Sequence, residues 1–166
     1  SAHLRGLGSQ SYGSLARRKV READGIYVLG SGHLTRELLP WLAKVEKPLF
    51  VLARNEEKAR NLIEKYPGAQ AQLWSPDTIQ LGDGAALIVA APLSARQIHS
   101  GLGSQFSRLS HVIDFRSDSS RDPLTGQFQY VHLGDIFSEI EQTRQRVDAE
   151  VERARQLIRE LAQAEV

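Results

Sequence analysis

The sequence predicts an α/β fold, a doubly wound parallel sheet followed by one long C-terminal helix. Three observations predict it. Short apolar runs at Ile26–Leu29, Pro48–Leu52, Ala85–Ala90, His111–Phe115 and Phe128–Leu133 alternate with segments whose apolar residues recur at helical steps. That alternation implies parallel strands joined by right-handed crossovers. The first run passes directly into the turn Gly30-Ser31-Gly32, and a helical pattern (Leu34, Leu38, Leu39, Leu42) follows at once. Finally, the stretch from Asp135 to Ala164 contains neither Gly nor Pro.

Length and composition fit one domain with a real core. The chain has 166 residues, 41% hydrophobic and 25% charged, with a net charge of +1. A charge this close to balance leaves no nucleic-acid footprint. The absence of cysteine removes disulfides, thiolate metal sites and a Cys nucleophile. No apolar run reaches the roughly 18 residues of a spanning helix, and no signal-peptide pattern is present, so no membrane partner is expected and the chain reads as cytoplasmic. With no Met, the expectation is an excised or processed piece of a longer protein, in which Ser1-Ala2 is a cloning remnant.

Taken in order, residues 1–13 read as an irregular lead-in carrying Gly6, Gly8 and Gly13, and Ser14–Glu22 reads as a helix with Leu15 and Val20 inward. Strand Ile26–Leu29 combines residues of high strand propensity. The first helix after it spans about Leu34–Val45; Pro40 inside it predicts a kink or a late start. Pro48–Leu52 is the second strand. Glu56–Tyr66 is a helix with Ala59, Leu62 and Ile63 inward, N-capped by Asn55 and ended by Pro67-Gly68. Ala69–Trp74 is a short strand, Ser75–Gln80 a helical turn and Gly82-Asp83-Gly84 a turn. Ala85–Ala90 is the most apolar strand, as burial on both faces requires. Ser94–Gly101 is a helix or turn, and a polar loop, Arg116–Gln127, separates the last two strands. The organisation expected is a lead-in segment and helix over 1–24, a nucleotide-binding domain over 25–134, and a long helix over 135–166.

The chemistry centres on the glycine turn. A strand, a G-x-G turn and a helix form a Rossmann-like dinucleotide site, because the glycines allow a tight turn and close approach of a pyrophosphate. The helix N-terminus adds free N–H groups and a positive dipole end. The residues assigned to cofactor binding there are Gly30, Ser31, Gly32, His33, Leu34 and Thr35, with Thr35 where a third glycine is usual. A βα turn that binds nothing has the same pattern, and His33 is equally an exposed bystander. The end of the second strand offers Arg54 and Asn55 and no acid. A carboxylate there would bind a ribose 2′-OH, whereas Arg54 suits a 2′-phosphate, so the expected cofactor is NADP(H) over NAD(H). The alternative for Arg54 is a surface ion pair with Glu56 or Glu57. Ala90, Ala91 and Pro92 close the fourth strand with small residues that admit the nicotinamide-ribose half or merely pack. Asp114, inside an apolar strand, needs partners; it either orients a loop or faces the site. The five His show no metal-ligand spacing, no metal is expected, and no catalytic residue is assigned.

Past Val147 the stripe Val147, Val151, Ala154, Leu157, Ile158 and Leu161 has no partner within this chain, and a helix of 30 residues would reach roughly 45 Å. The expectation is contact with a second copy, a homodimer through this helix, or with a missing domain; the alternative is one helix broken and folded back on the sheet.

Together these motifs resemble the nucleotide-binding part of glutamyl-tRNA reductase. Gln10–Ala16 resembles the family's serine-rich lead-in, and Val28–Leu39 (VLGSGHLTRELL) its glycine motif. Ala53–Leu62 (ARNEEKARNL) is similar to N-R-T-x-x-x-A-x-x-L, with Arg54 on the family's arginine and Asn55 in place of threonine. Val112–Arg116 resembles I-D-x-x-x-P-R without a clear proline, with Arg121-Asp122 as a displaced counterpart. Tyr130–Ile140 and the Arg-rich helix resemble the family's spinal element. The resemblance implies an NADP-dependent oxidoreductase of tetrapyrrole (porphyrin) biosynthesis, in which NADPH reduces a glutamyl thioester to glutamate-1-semialdehyde. It also implies that the nucleophilic Cys and the glutamyl-tRNA contacts lie in domains outside this chain, so that the isolated chain is inactive. Two rivals stay open: a small dehydrogenase of the sirohaem-synthesis type, which binds NAD, and a non-catalytic nucleotide-binding or dimerisation module.

Overall fold

The computed structural model describes residues 9–164. It contains one all-parallel sheet of six strands in the order β3-β2-β1-β4-β5-β6. The strands are β1 (Gly25–Leu29), β2 (Leu49–Ala53), β3 (Ala69–Leu73), β4 (Ala85–Val89), β5 (Leu109–Asp114) and β6 (Gln129–His132). The helices are α1 (Ser9–Lys19), α2 (His33–Ala43), α3 (Glu56–Ile63), α4 (Ala95–Leu102) and α5 (Leu133–Ala164), with a 3₁₀ helix at Gly103–Arg108. The expected Rossmann-like, doubly wound class is therefore the observed one.

Residues two apart on a strand face the same side, and the two sides of the sheet carry separate cores. Ile26, Val28, Val51, Ala86, Ile88 and Ile113 pack against α1, α2, Ala59 of α3 and the start of α5. Tyr27, Leu29, Leu52, Leu87, Val89 and Val112 pack against α4 and the loop residues Ile79, Leu81 and Leu124. Central strands β1 and β4 are buried at all five positions, which is why they read as continuous apolar runs.

Three expectations change. The lead-in gives way to helix from Ser9, five residues early, and α1 stops at Lys19 rather than Glu22. Packing overrides propensity here. Tyr12, Leu15, Ala16 and Val20 are buried, and a side chain at Gly13 would run into the Trp41 ring of α2. Residues 1–8 lie outside the described part. Helix α2 starts at His33 and runs through Pro40 to Ala43; Pro40 sits exposed in its last turn. Helix α3 ends at Ile63, where a turn from Tyr66 N–H to the Ile63 carbonyl (2.8 Å) takes over. The long C-terminal helix is as expected: α5 is one unbroken helix of 32 residues, and the folded-back alternative is not observed. Its first turns hold Leu133, Ile136 and Ile140 in the core, and Lys19 and Arg18 of α1 clasp Glu139 at 2.6 and 3.5 Å. Residues 141–163 are all exposed. Among the described residues no helix is long and apolar enough to cross a membrane.

Candidate functional site

In a parallel sheet the ligand crevice opens at the carboxyl ends of the strands, where the strand order reverses. Here the reversal falls between β1 and β4. A cleft of about 550 Å³ lies there, walled by the ends of β1, β2 and β4.

Its floor is the glycine turn. Gly30 has φ +134°, and a Cβ on it would lie 2.8 Å from the Ala90 carbonyl oxygen, so this position requires glycine. Gly30 N–H donates to Leu52 O and Ala90 N–H to Leu29 O, both at 2.9 Å, locking the turn to both neighbouring strands. Gly32 is different. Its φ is −94°, and a Cβ there would meet nothing within 4 Å. As the N-cap of α2 it supplies no side-chain cap, so the N-terminal N–H groups of that helix keep their capacity for an anion.

The wall at β2 is cationic. Arg54 is exposed and makes no ion pair among the described residues; of the two acids expected to compete for it, Glu56 and Glu57, Glu56 accepts from Arg60 at 2.8 Å. Asn55 caps α3, its Oδ1 accepting from Lys58 N–H at 3.0 Å. Lys58, one turn into α3, also lines the cleft. The remaining lining comes from Trp74, Ala90, Ala91, Pro92, Leu93 and Gln97, and no carboxylate is among the lining residues. Arg54, Lys58 and the free N–H groups at the start of α2 make a donor set suited to anionic groups.

Of the residues assigned from sequence, the cleft gathers Gly30, Ser31, Gly32, Arg54, Asn55, Ala90, Ala91 and Pro92. It does not gather His33, Leu34 or Thr35. His33 points to solvent beside Glu37 at 3.3 Å. Leu34 packs on the core. Thr35 is fully buried, and its hydroxyl donates to the Gly30 carbonyl at 3.0 Å, so it braces the turn from inside. Sequence reasoning missed Lys58, Trp74, Leu93 and Gln97. A basic residue one turn past Arg54 was a readable signal for Lys58. Trp74 and Gln97 arrive from β3 and α4, a convergence no local pattern shows.

Asp114 has found its partners. Arg116 grips it through Nε (2.9 Å) and Nη2 (2.8 Å), and the Tyr130 hydroxyl donates to it at 2.6 Å. Burial would lower the Arg116 pKa, but the Asp114 hydrogen bonds and charge outweigh it and raise it. Burial, then the hydrogen bond and charge of Asp114, push Tyr130 up to about 12. Asp122 is held below the usual carboxylate range by the Ala95 N–H and then by Arg116. Among the described residues no group of three metal-ligating side chains forms.

No protein-family model matches the sequence. No curated protein matches it significantly. Several solved structures are similar. The nucleotide-binding domain of glutamyl-tRNA reductase from Thermoplasma volcanium matches with a TM-score of 0.56 at 18% identity, over 83% of this chain and 96% of that one. An Ael1 enzyme from Pseudomonas putida matches at 0.61 and 15%, over 80% of this chain and 54% of that one. A shikimate 5-dehydrogenase from Mycobacterium fortuitum matches at 0.56 and 19%, over 81% and 55%. The chain thus spans about half the length of the last two. At these identities the likeness is one of fold, and the chain carries the Rossmann-like α/β architecture common to these proteins.

Proposed function

We propose that this chain binds NADPH across the carboxyl ends of β1, β2 and β4 and serves as the nucleotide-binding part of a reductase. One observation carries the reading: at the end of β2, Arg54, with no ion pair among the described residues, lines together with Lys58 a cleft whose lining contains no carboxylate. A guanidinium with a free fork pairs with a phosphate dianion and gains nothing from a bare 2′-hydroxyl. The uncapped start of α2 faces the place a pyrophosphate takes, and Gly32 leaves room for it. When bound, NADPH supplies a hydride. The chain's own residues bind and orient it.

The lining also lacks His, Tyr, Asp, Glu and Cys. Ser31 and Lys58 are the lining groups able to attack or move a proton, and a thioester-forming Cys comes from outside this cleft. That division of labour fits glutamyl-tRNA reductase, where the acyl group is held elsewhere and the cofactor domain reduces the thioester to glutamate-1-semialdehyde for tetrapyrrole synthesis. The ordered motifs, and the likeness to the Thermoplasma volcanium domain over nearly its whole length, support this choice. The lining speaks against the NAD-dependent sirohaem type. It equally favours, as a second reading, a nucleotide-binding module without chemistry of its own.

The test is calorimetric titration of the chain with NADPH and NADH, alongside Arg54→Ala. The expected result is tighter binding of NADPH and loss of that preference, by about tenfold or more, in the variant. Equal binding of both nucleotides, or of neither, sinks the reading.

A further inference from the structure

We propose that Arg116 and Asp122 are positioning residues for this cleft, holding the Ala90–Leu93 wall and the start of α4 from behind. The inference rests on the dinucleotide reading of the cleft and names the residues that keep it in shape.

The guanidinium of Arg116 sits almost fully buried between two strand ends and a loop. A guanidinium has five N–H donors in a rigid plane, and each finds an acceptor. Nε and Nη2 take the two oxygens of Asp114. Nη2 also donates to the Asp122 carbonyl at 2.6 Å. Nη1 donates to Asp122 Oδ2 at 3.1 Å and to the Leu93 carbonyl at 3.0 Å. Leu93 is a cleft residue. Asp122 Oδ2 accepts in addition from the Ala95 N–H, the first of α4, at 2.7 Å. The segment between β4 and α4 is thus pinned at Leu93 and again at Ala95, both from residues that follow β5. Asp114 completes the brace from the end of β5, opposite Val89 in the register, and Tyr130 from β6 completes Asp114.

The wall needs such a brace. Its own residues are Ala90, Ala91, Pro92 and Leu93, which carry no polar side chain to fix the loop. What holds it locally is the short turn from Leu93 N–H to Ala91 O (2.9 Å) and the reciprocal Ser94–Gln97 cap. Binding sites lose affinity steeply when a wall shifts by an ångström, so the residues behind it govern affinity without touching ligand.

The Asp122 side chain is 45% exposed, so its removal spares the core. Titration of the chain with NADPH is expected to show about tenfold weaker binding for Asp122→Ala, and a loss within about threefold for Asp122→Asn, which keeps an oxygen for the Ala95 N–H. Asp83→Ala serves as control; it breaks the exposed Arg108–Asp83 pair (3.4 Å) ahead of β4, at the other end of the sheet. Its affinity should equal that of the parent chain. Melting temperatures are read in parallel, with binding measured well below them. Unchanged NADPH affinity in Asp122→Ala overturns the positioning role. So does a loss that Asp122→Asn fails to restore, or one that tracks melting temperature across all three variants. No NADPH binding by the parent chain is a different result: it removes the dinucleotide reading itself, and this inference with it.

Discussion

The Thr35 hydroxyl donates to the carbonyl of Gly30 at 3.0 Å, in full burial, across the turn that floors the cleft at the ends of β1, β2 and β4. Where related turns pack a third glycine, this chain ties the helix to the turn with a hydrogen bond. Val at position 35 keeps the shape and leaves the Gly30 carbonyl without its donor. Thr35→Val should therefore lower stability by about 1–3 kcal/mol, measured by urea unfolding, while Thr35→Ser should recover most of the loss.

The two turn glycines should separate folding from binding. Gly30→Ala forces a positive φ on a residue with a Cβ and presses that Cβ on the Ala90 carbonyl, which should cost about 1–3 kcal/mol or more in stability. Gly32→Ala meets no atom and an ordinary φ. Its melting temperature should stay unchanged while NADPH affinity falls. Equal effects of the two substitutions on stability would contradict the geometry.

Alkaline pH should unload Tyr130. Its pKa is pushed up to about 12 by burial and by Asp114, against about 10 in an unfolded chain. A raised pKa favours the protonated form in the fold, so the contribution is complete below pH about 10 and lost as pH climbs from about 10 to about 12. Unfolding curves over that window should flatten in Tyr130→Phe. Tyr12, raised by burial and then by Glu37, keeps part of the slope.

The stripe on α5 should bring two copies together. Val147, Val151, Leu157, Ile158 and Leu161 are all large, apolar and exposed. Steps of four and three along Val147, Val151, Ala154, Ile158 and Leu161 are those of a coiled-coil seam. Analytical ultracentrifugation should show a dimer, and Ile158→Asp should shift it to monomer without changing the melting of the sheet. A parent chain that sediments as monomer at high concentration removes this proposal.

Supplied with NADPH and glutamyl-tRNA, the chain alone should form no glutamate-1-semialdehyde. It has no cysteine to carry the acyl group, and its cleft lining holds no His to activate a substitute nucleophile. Measurable semialdehyde in a coupled assay would falsify this.

What could be read in the sequence was what is local. Strands β1 and β4 announced themselves because every residue is buried, and α5 because a Gly- and Pro-free stretch keeps a helical period. Asn55 could be read as a cap because capping depends on residues three apart. Helix α1 began earlier than read because Gly13 looked like a breaker; its use is to let Trp41 lie against the helix, a contact 28 positions away. Thr35 was misplaced for a related reason. Motif spacing put it at the turn, but only the helix geometry shows that its side chain points inward. The brace around Arg116 draws on Leu93, Asp114, Asp122 and Tyr130, and only Asp114 carried a hint, as a charge that burial obliges to be paired.

The free part of α5 has a mechanical consequence. Residues 141–163 leave the body as a rod of about 35 Å. The base of the helix is anchored by Leu133, Ile136, Phe137 and Ile140 and by the clasp of Lys19 and Arg18 on Glu139. Such a rod is a lever. A pivot of about 5° at the clasp swings its tip by about 3 Å, and the fulcrum lies against α1, which packs directly on α2. Whatever grips the tip therefore has leverage on the helix that starts at the floor of the cleft.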